Sequence, residues 1–120
     1  MSSSIAITGY SLRAPNSSSV QEFAEALKTG KDLTTSNTRY PYGHLGLPPR
    51  QGRLKDKDVA SFNPSFFGLN HKQSEAMDPA IRMLLNVTHE ALMDAQIDIK
   101  SIRGSQTGVY IGHCFSDTLK

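Results

Sequence analysis

The sequence has 120 residues, of which 38% are hydrophobic and 20% charged, and its 13 basic and 11 acidic residues give a formal net charge of +2. This composition is typical of a globular domain, and no apolar run is long enough to span a bilayer. The basic residues are too dispersed to indicate nucleic-acid binding. Met1 to Ser4 lack the features of a secretory signal, so we expect a cytoplasmic, reducing setting, in which the single cysteine, Cys114, forms no internal disulfide.

The first predicted element is a strand. Ile5 to Ile7 form a short apolar run that ends at Thr8 and Gly9. This pattern predicts a strand that is buried on both faces and is followed by a turn.

A helix is predicted next, from Val20 to about Thr29. Ser19 and Glu22 have the spacing of a capping box, and Gly30 suits the left-handed residue that ends a helix. Four apolar residues at helical spacing predict the inward face: Val20, Phe23, Ala24 and Leu27. The segment from Lys31 to Lys57 has neither a helical nor a strand period, which predicts a long irregular excursion supported by a larger body.

The densest apolar stretch runs from Phe62 to Ala95. Asp78 and Pro79 predict the N-cap and first turn of a long helix. Its core-facing stripe consists of Ile81, Leu84, Leu85, Thr88, Ala91, Leu92 and Ala95. Three aromatic residues are expected to pack with Met77 at the helix start: Phe62, Phe66 and Phe67.

A second buried strand is predicted from Thr107 to Gly112, TGVYIG. The order strand, helix, long excursion, helix, strand predicts an α/β layered fold with parallel strands. Two strands have little sheet to join, so we expect the chain to be the beginning of a longer domain.

Candidate reactive groups are few. The turn after Gly9 lacks the further glycines of a dinucleotide site, and the four histidines have no metal-ligand spacing. His89 is expected to pack or to hydrogen-bond locally. Cys114 follows a predicted strand, a place where α/β enzymes put nucleophiles, but no helix start or oxyanion pattern follows it, so a buried, inert cysteine is favoured.

Four segments resemble, in the same order, the opening of the ketosynthase domain of type I fatty acid and polyketide synthases. They are IAITGYSLRAP, FNPSFFGLNHKQSEAMDP, the RMLL helix and RGSQTGVYIG. GLPPRQGRLKD resembles the animal fatty acid synthase branch. The resemblance implies a partial thiolase-like fold, in which residues 1–120 are an N-terminal fragment and the rest of the domain lies beyond Lys120.

The resemblance further implies a homodimeric parent enzyme. The parent catalyses decarboxylative Claisen condensation of acyl and malonyl units carried on the phosphopantetheine of acyl carrier protein. The family's nucleophilic cysteine and two histidines lie beyond Lys120, so we assign no catalytic, cofactor-binding or metal-binding residue here and expect no condensing activity from this segment alone. Phe115 is the candidate acyl-pocket residue.

Three features depart from the family pattern. Ala80 and Ile81 stand where two polar residues are common, and His89 stands where an aromatic residue is usual. Gln96 replaces the glycine that commonly ends the helix, which disfavours the left-handed cap by about 1 kcal/mol.

Two alternatives remain open. The chain could be a free-standing α/β binding or interaction module without condensing activity, or a nucleotide-binding fragment of Rossmann type, against which the missing glycines count. The sequence does not separate a fatty acid product from a polyketide.

Overall fold

The computed structural model describes residues 4–36, 41 and 43–114, and the chain divides into two compact units. The first unit comprises Met1–Ser11 and Phe62–Lys120, and the second comprises Leu12–Ser61. The second unit contains α1 (Val20–Lys28), β1 (Thr34–Ser36), β2 (Arg50–Gly52) and α2 (Asp56–Ala60); the first contains α3 (His71–Ala76) and α4 (Pro79–Asp94). Single 3-10 turns cover His44–Gly46 and Pro64–Phe67.

The first helix forms where the sequence predicts it. The Ser19 hydroxyl accepts a hydrogen bond from the Glu22 amide at 3.2 Å, and the Glu22 carboxylate accepts one from the Ser18 amide at 2.9 Å. Gly30, at φ 62°, follows the last turn as predicted. The prediction of its inward face is partly wrong. Leu27, on the predicted face, is 65% exposed, whereas Ala26, which is not on that face, is buried.

The segment predicted to be irregular contains a two-stranded antiparallel sheet. β1 and β2 pair with Thr34 opposite Gly52 and Ser36 opposite Arg50. Arg50 donates to the Asp32 carboxylate at 2.7 Å and to the Thr34 carbonyl at 2.8 Å. Each strand has only three residues and no apolar alternation, so the pattern that normally reveals a strand is absent.

The long helix α4 confirms the predicted start. Asp78 is buried, and its Oδ1 accepts a hydrogen bond from the Ala80 amide at 2.7 Å, with Pro79 in the first turn. At the other end Gln96 adopts φ 57°, so a left-handed non-glycine residue does close the helix. The Ile97 amide then donates to the Leu92 carbonyl at 2.9 Å, which completes the cap.

The two predicted buried strands are not strands in this chain. Residues 5–7 and 107–112 are not paired with a strand, and their large apolar side chains are exposed. The exposed fractions are 96% for Ile5, 87% for Ile7, 77% for Val109, 96% for Tyr110 and 62% for Ile111. The parallel pairing expected from the sequence is therefore also missing, because a central strand needs neighbours on both edges.

The described residues bury very little apolar surface. Among residues 4–36, 41 and 43–114, Ala26 is the one hydrophobic residue that is buried. No residue of α4 is fully buried, and Ile81 in its predicted core stripe is 48% exposed. The helices thus present apolar faces that the described residues do not cover.

Candidate functional site

The aromatic cluster of the first unit gathers around His89 on α4. The rings of Phe62 and Phe67 stack with centroids 5.2 Å apart, and Phe66 meets Phe67 edge to face at 5.0 Å. The His89 ring lies edge to face with Phe66 at 4.8 Å and with Phe67 at 6.5 Å. Through Phe66 and Phe67 the cluster therefore contacts α4 at His89, well beyond the helix start at which the sequence predicts the packing.

His89 takes part in this cluster as an aromatic ring. The expectation that it packs is confirmed by the two edge-to-face contacts. Imidazole is itself a planar aromatic ring, so His89 occupies the place where the family pattern usually has an aromatic residue.

Cys114 and Phe115, the two residues considered for chemistry, follow the TGVYIG segment. Cys114 is exposed, so the expectation of a buried cysteine is wrong. The reason is that the preceding segment forms no buried strand to carry it inward. Phe115, the acyl-pocket candidate, lies outside the described residues. Within the described part of the chain, no three histidine, cysteine or acidic side chains cluster as a metal site would require.

A groove in the second unit, lined mostly by residues of polar type, could not be predicted from the sequence. It has a volume of about 630 Å³ and runs along one face of α1. Its lining residues are Asn16, Ser17, Gln21, Glu22, Glu25, Ala26, Thr29, Lys31, Leu33 and Lys55. They come from α1 and from loops on either side of it, and a one-dimensional pattern does not show which loops converge.

The groove wall is fixed by an ion pair. Lys55 Nζ lies 2.7 Å from the Glu22 carboxylate. The hydrogen bond from Lys55, followed by that from the Ser18 amide, lowers the pKa of Glu22 below its ordinary value of 4.5. Glu22 is consequently held ionised and serves as a hydrogen-bond acceptor at this wall, not as a proton donor.

A second polar centre orders the short sheet. Asp32 accepts hydrogen bonds from the Thr34 hydroxyl at 2.7 Å and the Thr34 amide at 2.8 Å, and Arg50 completes the set. These bonds, with the Thr34 hydroxyl contributing most, lower the pKa of Asp32. The geometry is that of a structural pin between β1 and β2.

Comparison with solved structures defines the class of fold. The chain is similar to the ketosynthase from module 6 of the bacillaene synthase of Bacillus subtilis 168, with a TM-score of 0.60 and 28% sequence identity. The similarity covers 72% of this chain and 15% of that one. The chain therefore has part of a thiolase-like α/β fold, as the sequence predicts.

Comparison with protein families then gives the family. Residues 2–120 match the model described as "Beta-ketoacyl synthase, N-terminal domain". Because the match covers nearly the whole chain, the protein belongs to the β-ketoacyl synthase family, by its N-terminal domain. The predicted family membership is confirmed.

Curated relatives come from both branches of the family. The chain is 42% identical over 109 residues to a fatty acid synthase of Anser anser anser, covering 90% of this chain and 30% of that protein. It is 37% identical over 127 residues to a probable polyketide synthase 9/36 of Dictyostelium discoideum, covering 96% of this chain and 4% of the relative. The chain thus spans less than a third of either relative. Among the described residues no helix has the length and apolarity needed to cross a membrane.

Proposed function

We propose that residues 1–120 form the N-terminal segment of a 3-oxoacyl-[acyl-carrier-protein] synthase domain in fatty acid or polyketide biosynthesis. The domain joins acyl and malonyl units by decarboxylative Claisen condensation, and this segment contributes scaffold and no catalytic group. The match of residues 2–120 to the N-terminal domain of β-ketoacyl synthases carries the proposal. The parent is a cytoplasmic homodimer that takes its thioester substrates from the phosphopantetheine of acyl carrier protein.

Exposure of the two apolar segments supports a scaffold role. Ile5 and Ile7 alternate along one segment, and Val109 and Ile111 alternate along the other, and all four are more than half exposed. Alternation of this kind is what a sheet buries once neighbouring strands are added. A free-standing module would not leave such segments uncovered, because large exposed apolar patches mark surfaces that pack on something else.

One buried guanidinium nitrogen points the same way. The Nε atom of Arg82, in the first turns of α4, is buried and has no hydrogen-bond partner among the described residues. An unsatisfied buried donor is costly, so native proteins rarely leave one without an acceptor. Further structure of the domain would supply that acceptor.

A chimaera tests the proposed function. The corresponding segment of an active fatty acid synthase ketosynthase domain is replaced by residues 1–120, and condensation of acyl and malonyl units on acyl carrier protein is measured. We expect a folded, active chimaera, and no activity from the 120-residue chain alone. A matched chimaera with Ile5→Asp and Ile7→Asp should fail to assemble, since two carboxylates would enter the sheet.

The isolated chain provides the opposing outcome. Because its two apolar segments are unpaired and it buries little apolar surface, its thermal unfolding should be broad and should lack cooperativity. A sharp two-state transition of the isolated monomer, together with an inactive but folded chimaera, would favour the free-standing binding module instead.

The acyl-pocket role of Phe115 is a separate proposal that depends on the family resemblance. In an active chimaera, Phe115→Ala should shift the preferred acyl chain length, because removing the ring enlarges the space available to the chain. An unchanged product distribution would remove Phe115 from the pocket.

A further inference from the structure

Residues 9–11 are fastened to the last two turns of α4. The Tyr10 amide donates a hydrogen bond to Asp94 Oδ2 at 3.1 Å. The Ser11 hydroxyl donates to Glu90 Oε2 at 2.6 Å. Because Glu90 and Asp94 are four residues apart, their carboxylates lie on the same face of the helix, one turn apart. We refer to Tyr10, Ser11, Glu90 and Asp94 as the carboxylate latch.

Gly9 brings the backbone against the helix beside the latch. A Cβ atom at this position would lie 2.3 Å from the Ala91 carbonyl oxygen and 2.6 Å from the Ala95 Cβ. Only glycine on the segment, facing alanines on the helix, allows so close an approach. The latch and this contact together fix the chain along the helix axis and in its distance from the helix.

The segment that precedes the latch, residues 5–8, is exposed and is not part of a strand. Ile5 and Ile7 are almost fully exposed, and residues 5–8 are unpaired. Side chains alternate between the faces of a sheet, so a slip of one residue would exchange the face that carries Ile5 and Ile7 for the other. So short a strand has few side chains of its own with which to specify its register.

We propose that Glu90 and Asp94 are positioning residues that set the register in which residues 5–8 pair with neighbouring strands. The proposal rests on the proposed function, because those strands belong to the rest of the ketosynthase domain. Each carboxylate acts through its partner, Ser11 or Tyr10, and the acceptor oxygen is what matters. An amide, which keeps one acceptor oxygen, should therefore replace either carboxylate, and an apolar side chain of similar size should not.

Amide exchange in the 120-residue chain tests whether the latch forms. Asp94→Leu should accelerate exchange of the Tyr10 amide about tenfold, as expected for loss of a hydrogen bond to a charged acceptor, whereas Asp94→Asn should stay within about threefold of wild type. Glu75→Gln, on the exposed face of α3, is the matched control and should leave Tyr10 unchanged. A Tyr10 amide that ignores Asp94→Leu would show that the latch does not form.

A double-mutant cycle tests the coupling of Ser11 and Glu90 over 79 residues of sequence. Combining Ser11→Ala with Glu90→Leu should accelerate exchange of the Tyr10 amide by less than the product of the two single accelerations, because each change removes the same Ser11–Glu90 bond. If the two accelerations multiply, so that their free-energy changes add, the two residues do not act through one another.

Activity of the chimaera tests the register. The double variant Asp94→Leu, Glu90→Leu should have at least tenfold lower condensing activity than wild type. The double variant Asp94→Asn, Glu90→Gln should keep most of the wild-type activity. A double-leucine chimaera as active as wild type would overturn the register proposal and leave the proposed function standing. A wild-type chimaera without activity would overturn the proposed function and, with it, the register role, while the exchange data would still report on the latch.

Discussion

Gly9→Ala is the substitution for which the structure predicts the largest local effect. The added Cβ would meet the Ala91 carbonyl oxygen at 2.3 Å, against an ordinary contact of 3.4–4 Å. That oxygen belongs to the helix backbone and cannot move aside as the end of a flexible side chain could. Residues 9–11 must therefore either stay against α4 with a strained contact, which we call holding the clash, or move away from the helix.

The two responses have similar free-energy costs. Holding the clash corresponds to overpacking, about 1–3 kcal/mol and more when backbone atoms are involved. Leaving the helix sacrifices the bonds to Glu90 and Asp94, about 1.5 kcal/mol each at the low end for charged acceptors, or about 3 kcal/mol together. Since the chain takes whichever response is cheaper, we expect a local destabilisation of about 2–3 kcal/mol.

Hydrogen exchange of the Tyr10 amide measures this local opening directly. A change of 2–3 kcal/mol corresponds to an acceleration of roughly 30-fold to 150-fold. Gly112→Ala is the matched control, because an added Cβ there meets nothing within 4 Å, and it should leave Tyr10 unaffected. An acceleration by Gly9→Ala of less than about threefold would refute the close contact between this segment and α4.

Three further predictions concern helix ends and charge. Gln96→Gly should stabilise the last turn of α4 by up to about 1 kcal/mol, because glycine adopts φ 57° without strain, and the final amides of the helix should exchange more slowly. The control Met93→Gly, inside the helix, should destabilise the same turn and accelerate that exchange. Ser19→Ala should destabilise α1 by about 1 kcal/mol through loss of its N-cap, measured by exchange of the Glu22 amide, which would be unchanged if the cap bond were absent. Lys55→Ala should raise the pKa of Glu22 toward 4.5 in a carboxyl NMR titration, whereas Lys28→Ala, whose partner is Glu25, should not. Because the pKa of Glu22 is lowered in the folded chain, its ion pair stabilises the fold completely above pH 4.5, and that stabilisation is lost as the pH falls through the pKa of the folded state. A Glu22 pKa that does not change in Lys55→Ala would contradict the role of the ion pair.

Elements that satisfy their own backbone groups could be predicted from the sequence. α1 and α4 begin at Ser19 and Asp78, whose side chains accept from the first-turn amides as the capping patterns indicate. A helix closes its hydrogen bonds within about four residues, so its caps and period are written locally. The left-handed end at Gln96 was anticipated from the family resemblance instead, because a glycine commonly ends this helix in the family.

Features that depend on distant residues could not be predicted. The antiparallel pair of β1 and β2 is held by Asp32, Thr34 and Arg50 across a gap that has no strand pattern. The groove along α1 and the packing of Phe66 on His89 likewise join residues that only the folded chain brings together. Residues 5–7 and 107–112 have the composition of buried strands, yet composition does not supply the neighbours that would bury them.

The exposed segments set the scale of what the rest of a ketosynthase domain must contribute. Burying a branched apolar side chain completely is worth about 1.5–3 kcal/mol, so Ile5, Ile7, Val109 and Ile111 together represent about 6–12 kcal/mol that this chain leaves unrealised. That sum is comparable with the whole stability of an ordinary domain, about 5–15 kcal/mol. In the proposed domain, sheet formation with further strands would therefore be a large source of stability for this segment. The carboxylate latch, by holding residues 9–11 on α4, would reduce the entropy that residues 5–8 lose on joining such a sheet.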